Sequence, residues 1–345
     1  MNIIVMSLNP SIDWQWSVPS FVYGGLNRAK NGERYASGKG INVCAALKNI
    51  GLDPLCIGFN FRENGDFLTN ALDEWGIRHD FITVDGAVRT NIKLYDDSTG
   101  EMTELNQPGT FVPGKAMQAL YEKFDVAIDT IADKRQPIKE NGHISRYDDN
   151  NEAAIIVISG SMPAGVPADT YKRLCEAWPG KVILDADGEA LRLALMGGKP
   201  PFCIKPNLHE LTNLACMMNC DVDFSKREGI AAFCRELTQS YGVSMICVSM
   251  GEKGAMLVTD LEDCYIPAPK LTVRGVQGAG DAMVAGLAYG LAQGLMVPEL
   301  LHTATAAAAA TVERDGTLMC TREGFRKYLA MPLNVNQEAD SNGTT

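Results

Sequence analysis

Two glycine turns, each followed by a helix-like run, carry the residues of this chain that could do chemistry. The later turn is Gly278-Ala279-Gly280, and Asp281 follows it directly. A glycine turn that opens a helix presents backbone N–H groups and the positive end of the helix dipole, which suit charge on a transferring phosphoryl group. A carboxylate there can accept the proton of an attacking hydroxyl. Asp281 is therefore a candidate general base and the turn a candidate anion hole. The alternative is a tight turn with Asp281 as an ordinary N-cap.

The earlier turn places Lys39 between Gly38 and Gly40, and the run after Asn42 predicts a helix closed by Gly51. The segment superficially resembles a phosphate-binding P-loop, but Gly40 stands where the magnesium-binding hydroxyl belongs and no apolar strand precedes the turn. We therefore reject the P-loop. A turn that binds a hydroxylated or phosphorylated ligand through Lys39 and Asn42 stays open.

The elements that must position these turns alternate along the chain. Short, continuous apolar runs predict strands that are covered on both faces; they span 153–161, 181–188, 201–207 and 244–251. Helix-like runs lie between them, at 168–178, 209–218 and 226–241. Alternation of this kind predicts parallel βαβ units in a doubly wound sheet, whose ligands bind beyond the carboxyl ends of the strands. The N-terminal run predicts an edge strand or a first strand.

Composition limits the classes of protein and of partner. The chain has 345 residues, of which 46% are hydrophobic and 21% charged, and its net charge of −11 argues against a nucleic-acid or anionic-membrane partner. The N-terminus does not read as a secretory signal. None of the ten cysteines forms a CxxC pair, which predicts buried free thiols in a reducing cytoplasm. Cys216 and Cys220 are four residues apart, but no second ligand pair follows, so we reject a zinc site.

Four segments depart from the alternating pattern. Residues 13–35 and 86–106 read as a small β lid, because apolar and polar side chains alternate there. Residues 129–152 are rich in charged and polar side chains and read as a mobile inserted loop. We expect one domain over 1–333 and a disordered tail over 334–345.

Together the two turns are similar to the two signatures of the ribokinase-like (PfkB) carbohydrate kinases. Eight further stretches agree in the family's order, and the resemblance spans roughly residues 1–330: LNPSID (8–13), GGLNRA (24–29), VRTNIKL (88–94), TELNQPG (103–109), SGSMPAGVP (159–167), DADGEAL (185–191), IKPNLHEL (204–211) and VSMGEKGAMLV (248–258). The resemblance implies an α/β fold, a three-layer α/β/α sandwich with a doubly wound, mostly parallel sheet and a small β lid.

Within that family the chain looks most like the phosphosugar branch, and the resemblance implies a sugar-phosphate site. Arg89 and Ser161 are implied to hold the substrate phosphate with Lys39 near it, and Lys93 is a further candidate cation. Asp13 is implied to bind sugar hydroxyls, with Gly38 and Asn42 beside it. Arg28 is implied to reach the site of a neighbouring subunit. The lid strands are expected to pair across a homodimer that buries Trp14, Trp16 and Phe21.

The resemblance also implies an ATP site. Lys205 and Asn207 are expected near the ATP phosphates, and Glu210 is expected to organise Mg²⁺ through water. Asn207 and Glu210 also fit a capping box at the start of a helix, and the two interpretations are compatible. Three more residues are implied nucleotide neighbours: Ser249, Gly251 and Ala307. Gly254 fits the tight turn of the hairpin after Gly251, and Ala307 lies in an alanine-rich helix, 304–310, that also fits a closely packed core.

The implied reaction is transfer of the ATP γ-phosphoryl group to the free primary hydroxyl of fructose 1-phosphate in the cytoplasm. Tagatose 6-phosphate or fructose 6-phosphate is the alternative substrate, and a non-catalytic sugar-phosphate-binding protein is the alternative of another class. Two departures from the family pattern stand out. In the run Gly275-Val276-Gln277, the polar side chain that helps to place a monovalent cation is missing at Gly275 or Val276, which puts potassium activation in doubt. DADG, in place of D-[TS]-S-G, adds Asp187 near the phosphate region.

Overall fold

The computed structural model describes residues 3–30, 32–132, 137–140, 143–147 and 154–336. Within those ranges, no helix combines the length and the apolar character that crossing a membrane requires. The strands, in chain order, are β1 (Ile3–Ser7), β2 (Ser11–Val18), β3 (Gly32–Ser37), β4 (Leu55–Glu63), β5 (Arg78–Ala87), β6 (Arg89–Asp96), β7 (Met102–Asn106), β8 (Pro137–Glu140), β9 (His143–Tyr147), β10 (Ile155–Ser159), β11 (Lys181–Asp185), β12 (Cys203–Ile204), β13 (Met245–Ser249), β14 (Ala255–Val258) and β15 (Asp263–Ile266).

Helices connect most of these strands. In chain order they are α1 (Lys39–Ile50), α2 (Gly65–Glu74), α3 (Gly114–Ala132), α4 (Thr170–Ala177), α5 (Gly188–Leu195), α6 (Leu208–Met217), α7 (Arg227–Tyr241), α8 (Ala279–Ala292), α9 (Val297–Val312) and α10 (Arg322–Leu329). A short 3₁₀ turn covers Gly251–Lys253.

The main sheet has nine strands in the order β15-β14-β13-β12-β11-β10-β1-β4-β5. Neighbours from β13 to β5 pair in parallel, whereas β14 and β15 are antiparallel at one edge. The central strands β1 and β10 are buried along their whole length. Two hydrophobic cores, one on each face, join the sheet to its helices. The predicted doubly wound, three-layer architecture is confirmed, and the N-terminal run forms a central strand rather than an edge.

The predicted lid is a separate sheet of four strands, β3-β2-β6-β7. Strand β2 pairs in parallel with β6 and antiparallel with β3, and β7 completes the sheet against β6. The lid strands therefore come from both segments in which the sequence alternates. They meet the main sheet near the carboxyl end of β1.

Helix α1 begins at Lys39, three residues earlier than the sequence predicts, and ends as predicted before the left-handed residue Gly51. Gly40 allows this helix to approach the main sheet closely. A β-carbon on Gly40 would lie 2.7 Å from Cβ of Ser7, closer than real side chains approach. The first turn of α1 thereby sits against the carboxyl end of β1.

Helix α8 begins at Ala279, and its N-cap is Gly278, whose φ of 73° is left-handed. Asp281 is thus the third residue of the helix, and the alternative that made it the N-cap is wrong. Helix α9 packs against α8 with almost no space between the backbones, because a β-carbon on Gly286 would lie 2.6 Å from Cα of Ala304. The alanine-rich run is therefore a closely packed core helix.

The structure describes two parts of the segment expected as an inserted loop, 129–152: the end of a helix and a hairpin. Helix α3 extends through residues 129–132, and β8 pairs with β9 in an antiparallel hairpin. The rest of the insertion, 133–136, 141–142 and 148–152, lies outside the described residues, as does the tail from 337 onward. Residue Asn336, at the start of the expected tail, exchanges two hydrogen bonds with Tyr265, of 2.8 and 2.9 Å.

Most of the cysteines are buried free thiols, as predicted: Cys44, Cys56, Cys175, Cys203, Cys234, Cys247, Cys264 and Cys320. Cys216 is exposed and Cys220 half-buried. Among the described residues, no group of three or more His, Cys, Asp or Glu side chains could hold a metal ion.

Candidate active site

Charged side chains converge where the central parallel strands end, and Asp185 lies at their centre. Asp185 is the last residue of β11 and is 1% exposed. Its carboxylate faces the ammonium groups of Lys39 and Lys205, each at 3.3 Å, and accepts a hydrogen bond of 2.9 Å from Ser159. Burial alone would raise the pKa of Asp185, but Lys205, Lys39 and the Ser159 hydroxyl together lower it to about 2. Asp185 is therefore a buried anion that holds two cations in place.

Lys39 and Lys205 reach this anion from different elements. Lys39, the first residue of α1, lies 3.9 Å from Oε1 of Glu210, and Asp185 raises its pKa more than burial lowers it. Lys205 follows β12 directly and is 4% exposed. A β-carbon on Gly280 would lie 3.5 Å from Nζ of Lys205, so this ammonium stands beside the glycine turn.

Asp281 is the second buried carboxylate of the cluster, at 7% exposure. Oδ2 of Asp281 accepts a hydrogen bond of 2.7 Å from Nδ2 of Asn42. Burial and the nearby charge of Asp185 raise the pKa of Asp281 to about 6, although Lys39, Asn42 and Lys205 oppose the rise. A base whose pKa lies close to neutrality is well matched to accepting a proton from a hydroxyl.

The glycine turn before Asp281 is the candidate anion hole, and it opens helix α8 with a left-handed N-cap. The first N–H groups of a helix have no acceptor within that helix, and they point along its axis. Ala279 N–H donates to the Val276 carbonyl in a long bond of 3.4 Å, while a β-carbon on Gly278 would overlap the Met319 methyl group. Gly278 is thus required both by its left-handed backbone and by the close approach of Met319.

A cleft next to this cluster collects the predicted phosphate ligands. Its lining residues are Ser7, Asn9, Lys39, Gly40, Arg89, Ser159, Gly160, Ser161, Ala186 and Asp187. Asn9 connects two of these residues. Its side-chain Nδ2 donates to Ser161 Oγ at 3.1 Å, and its backbone carbonyl accepts a hydrogen bond from Arg89 Nε at 3.2 Å. Arg89 Nη1 also donates to the Gln107 carbonyl at 3.1 Å. Burial lowers the pKa of Arg89, and Asp13 opposes that effect.

Asp13 and Lys93 form a buried ion pair of 2.7 Å at the base of the lid, and neither residue lines the cleft. Gly38 is the N-cap of α1, with a φ of 104°. Arg28 lies in the exposed loop between β2 and β3, and no described residue forms a hydrogen bond or ion pair with it. The structure thus brings Lys39, Arg89 and Ser161 together and leaves Arg28 apart.

The expected nucleotide residues lie along the neighbouring strand ends. Asn207 and Glu210 form the predicted capping box of α6, with two reciprocal bonds of 2.8 Å. Ser249 pairs with Asn207 in an isolated parallel bridge. Gly251, with a φ of 60°, opens the 3₁₀ turn. Gly254 closes the turn, as predicted: a β-carbon there would lie 2.7 Å from Cα of Pro267. Ala307 is completely buried in α9. Burial in the core does not show what lies beside it when a nucleotide binds, and the expected position next to adenine stays a prediction.

Sequence reasoning missed Asp185 and Asn9 as site residues. Both carried a usable signal, because each follows an apolar run at the carboxyl end of a predicted strand. What the sequence could not show is that Asp185 faces two lysines from distant segments.

Comparison with known proteins identifies the family. The family model described as "pfkB family carbohydrate kinase" matches residues 2–127 and 128–323. The chain belongs to this kinase family. A 1-phosphofructokinase of Bacillus subtilis is 31% identical over 312 residues, covering 90% of this chain and 92% of the relative. A 1-phosphofructokinase of Borreliella burgdorferi is 30% identical over 330 residues, covering 95% and 96%.

The structural comparison agrees with the kinase family. Phosphofructokinase-2 from Escherichia coli, solved in complex with potassium, superimposes with a TM-score of 0.82 at 25% identity and covers 95% of this kinase and 98% of that chain. The architecture is the ribokinase-like fold, and the protein is a phosphotransferase similar to 1-phosphofructokinases.

Kinases of this family use ATP, generally with a divalent metal ion. The residues of this kinase fit Mg²⁺ that is held mainly by phosphate oxygens, because such sites need only one or two carboxylates. Glu210 has one oxygen occupied by the Asn207 N–H, whereas the polar neighbour of Oε1 within the described residues is Lys39, at 3.9 Å. That oxygen is available to a water molecule of a magnesium ion.

Proposed function

We propose that this kinase transfers the γ-phosphoryl group of Mg-ATP to the free primary hydroxyl of fructose 1-phosphate, giving fructose 1,6-bisphosphate. The observation that carries the proposal is the cleft with Lys39, Arg89 and Ser161, which adjoins the buried carboxylate of Asp281. A sugar phosphate brings a dianion, and this cleft presents the cations of Lys39 and Arg89 together with the Ser161 hydroxyl, against one carboxylate, Asp187. The full-length relatives named 1-phosphofructokinase support the same substrate.

In the proposed mechanism, Asp281 accepts the proton of the attacking hydroxyl, and Asn42 holds its carboxylate in place. The N–H groups of the Gly278–Gly280 turn and the ammonium of Lys205 stabilise charge on the transferring phosphoryl group. When bound near Glu210, Mg²⁺ would neutralise negative charge on the ATP phosphates. Lys205 and Asn207 bind near those phosphates, and Asp13, Gly38 and Asn42 lie on the side of the sugar hydroxyls.

The choice between two ketohexose phosphates depends on the hydroxyl groups of the sugar. Fructose 1-phosphate and tagatose 6-phosphate carry their phosphates at opposite ends. If each is bound by its phosphate, it presents the opposite primary hydroxyl to Asp281. One cleft could therefore accept both, and discrimination requires buried polar groups that bond one stereochemistry. Fructose 6-phosphate is the third candidate.

A coupled ADP-release assay tests the proposal with Mg-ATP and fructose 1-phosphate, tagatose 6-phosphate, fructose 6-phosphate or an unphosphorylated sugar. We expect the highest kcat/KM for fructose 1-phosphate. A preference for tagatose 6-phosphate or fructose 6-phosphate keeps the mechanism and changes the substrate. Turnover of an unphosphorylated sugar alone overturns the role of the basic cleft. Binding of sugar phosphate with no turnover of any kind favours a non-catalytic binding protein.

The capping residue Asn207 is predicted to serve both α6 and ATP. In Asn207→Ala, loss of the cap should lower the free energy of unfolding by about 1 kcal/mol. Loss of a bond to a charged phosphate should also raise KM for ATP about tenfold. The matched control is Thr321→Ala, because Thr321 caps α10 by accepting a bond from Gly324 N–H away from the cluster. That control should lose similar stability and keep KM for ATP within about twofold. Equal KM values in the two variants would contradict the ATP role.

We also propose that the lid forms a homodimer interface, where Arg28 reaches the partner's site. The lid leaves Trp14 37% exposed, with its ring centroid 4.9 Å from that of Trp16 and the two rings tilted by 37°, and the adjoining loop exposes Tyr23 and Leu26. Trp14→Glu should convert a dimer into a monomer in light scattering at micromolar concentration, because burying an unpaired charge opposes association. Trp75→Glu is the control, since Trp75 is 39% exposed but lies at the end of α2, outside the lid. A fully active wild-type monomer would refute the dimer.

A further inference from the structure

The buried carboxylate of Asp13 joins three strands of the lid at a single point. Oδ1 accepts hydrogen bonds from Ser11 Oγ (3.1 Å) and Asn91 Nδ2 (2.9 Å). Oδ2 accepts a bond of 2.8 Å from Ser37 Oγ and lies 2.7 Å from the Lys93 ammonium. Ser11 and Asp13 belong to β2, Ser37 ends β3, and Asn91 and Lys93 belong to β6. We call these five residues the Asp13 cluster.

The Asp13 carboxylate has no acceptor site left for a sugar hydroxyl, so in this geometry Asp13 supports the sugar site by holding the lid rather than by bonding the sugar directly. A carboxylate offers about four lone-pair positions, two on each oxygen. Each oxygen of Asp13 already faces two donors, and the residue is only 3% exposed. Asp13 is therefore fixed in one orientation, and the ammonium of Lys93 supplies the single positive charge that pairs with it inside the cluster.

Lys93 is directed at Asp13 and away from the phosphate cleft. It is 6% exposed, and it does not line the cleft that contains Lys39, Arg89 and Ser161. A buried ion pair of this kind is costly to break on one side, because the remaining charge is left without compensation. Replacing both residues of such a pair together lowers the free energy of unfolding much less than replacing one of them.

We propose that Lys93 is a positioning residue for the sugar site, which acts through Asp13 and does not bind the substrate phosphate. It fixes the carboxylate where β2 pairs with β3 and β6, and so sets the position of the lid over the sugar. This inference deepens the proposed sugar-phosphate kinase activity and rests on it. It assigns the phosphate to Arg89, Ser161 and Lys39 alone.

The first experiment is a thermal-unfolding cycle with Lys93→Met, Asp13→Asn and the double variant. We expect Lys93→Met to lower the melting temperature, because it leaves a buried unpaired carboxylate, and the double variant to recover most of that loss. The control is Lys30→Met, an exposed lid lysine that pairs with Asp97 at 2.8 Å and should change stability little. Additive losses in the double variant would overturn the proposed coupling. Recovery can be measured even if Lys93→Met alone fails to fold.

The second experiment separates positioning from phosphate binding. Protection against thermal unfolding by inorganic phosphate is titrated in the wild type, in Arg89→Met and in the Asp13→Asn/Lys93→Met double variant, which has no unpaired charge in the cluster. We expect Arg89→Met to weaken phosphate binding about tenfold, the size of a lost bond to a charged group. The double variant should weaken phosphate binding by no more than about twofold, since loss of the negative charge of Asp13 near Arg89 favours a bound anion. If the double variant weakens phosphate binding as much as Arg89→Met, Lys93 is a phosphate ligand and the proposal is overturned.

Kinetics supply the third readout. Lys93→Met should raise KM for the sugar phosphate by about tenfold or more and leave KM for ATP within about twofold, because Asp13 lies on the sugar side. Equal rises in both KM values would indicate general structural damage and overturn a positioning role. The phosphate titration and the unfolding cycle require no turnover. Absence of turnover in the wild type would therefore refute the proposed function while these two experiments still decide the role of Lys93.

Discussion

Asp281→Asn should lower kcat by more than about 10²-fold, the loss expected when a general base is removed. The substitution preserves the shape of the side chain, and an amide oxygen can still accept the hydrogen bond from Asn42 Nδ2. The variant therefore removes the proton acceptor and leaves the geometry of the turn in place. Steady-state kinetics at saturating sugar phosphate and ATP measure the effect. A near-wild-type kcat would refute the assignment of Asp281.

The pH dependence provides a second test of the same residue. Because the pKa of Asp281 is raised to about 6, its carboxylate is protonated at lower pH and cannot act as a base. The wild-type kcat/KM, which reports ionisations of the free enzyme, should fall as pH decreases through about 6, and the residual kcat/KM of Asp281→Asn should lack that decrease. Phosphate groups ionise in the same range, so the comparison must use the same substrate for both proteins, at concentrations well below KM.

Stability should change in the opposite direction to activity. The pKa of Asp281 in the folded protein is above its ordinary value of 3.8, so the folded state binds the proton more tightly than the unfolded state. The wild type therefore loses stability from this group as pH rises from about 4 to 6, and the loss is complete at pH 8. Asp281→Asn does not carry that penalty and should unfold at pH 8 no more easily than the wild type.

Asp185→Asn should lower the free energy of unfolding by about 3–5 kcal/mol, because removing one partner of a buried ion pair leaves the other charge uncompensated. Lys205 is almost completely buried, and Asp185 is its ion-pair partner among the described residues. Urea unfolding at pH 7.5 measures the loss. The control is Asp53→Asn: Asp53 pairs with Lys48 at 2.8 Å, but its side chain is 60% exposed. An exposed pair should contribute at most about 1 kcal/mol.

The same variant should also shift the ionisation of Asp281. The negative charge of Asp185 raises the pKa of Asp281, whereas Lys39 and Lys205 lower it. Without the negative charge of Asp185, the two lysines lower the pKa of Asp281 further, and the low-pH decrease in kcat/KM should move to a lower pH. A shift to higher pH, or a loss of stability no larger than that of Asp53→Asn, would contradict the central role of Asp185.

Local pattern was sufficient to predict much of the fold. Continuous apolar runs such as 153–161 and 244–251 became buried parallel strands β10 and β13, because side chains covered on both faces have no reason to alternate. The left-handed end of α1 at Gly51 and the capping box of Asn207 with Glu210 are also local, and both were predicted. Helix starts were less predictable, since Lys39 enters α1 three residues before Asn42.

The sequence did not predict which charged residues from distant segments would pair. Lys93 and Asp13 were both candidate ligands, but only the parallel register of β2 with β6 shows that they neutralise each other. Asp185 was passed over because its importance depends on Lys39 and Lys205, which come from two other parts of the chain. The sequence thus indicates which residue types are present at strand ends, and the topology decides which charges face one another.

The first turn of α1 has a thermodynamic consequence. It presents Lys39 to the phosphate cleft and, one turn later, Asn42 to Asp281. The positive charge of Lys39 lowers the pKa of Asp281. A dianion that pairs with Lys39 offsets this charge, so the pKa of Asp281 rises and Asp281 becomes a stronger base. By reciprocity, a proton on Asp281 favours the dianion. Substrate affinity and basicity are thus linked through one turn of helix, and the base is strongest when the sugar phosphate is in place.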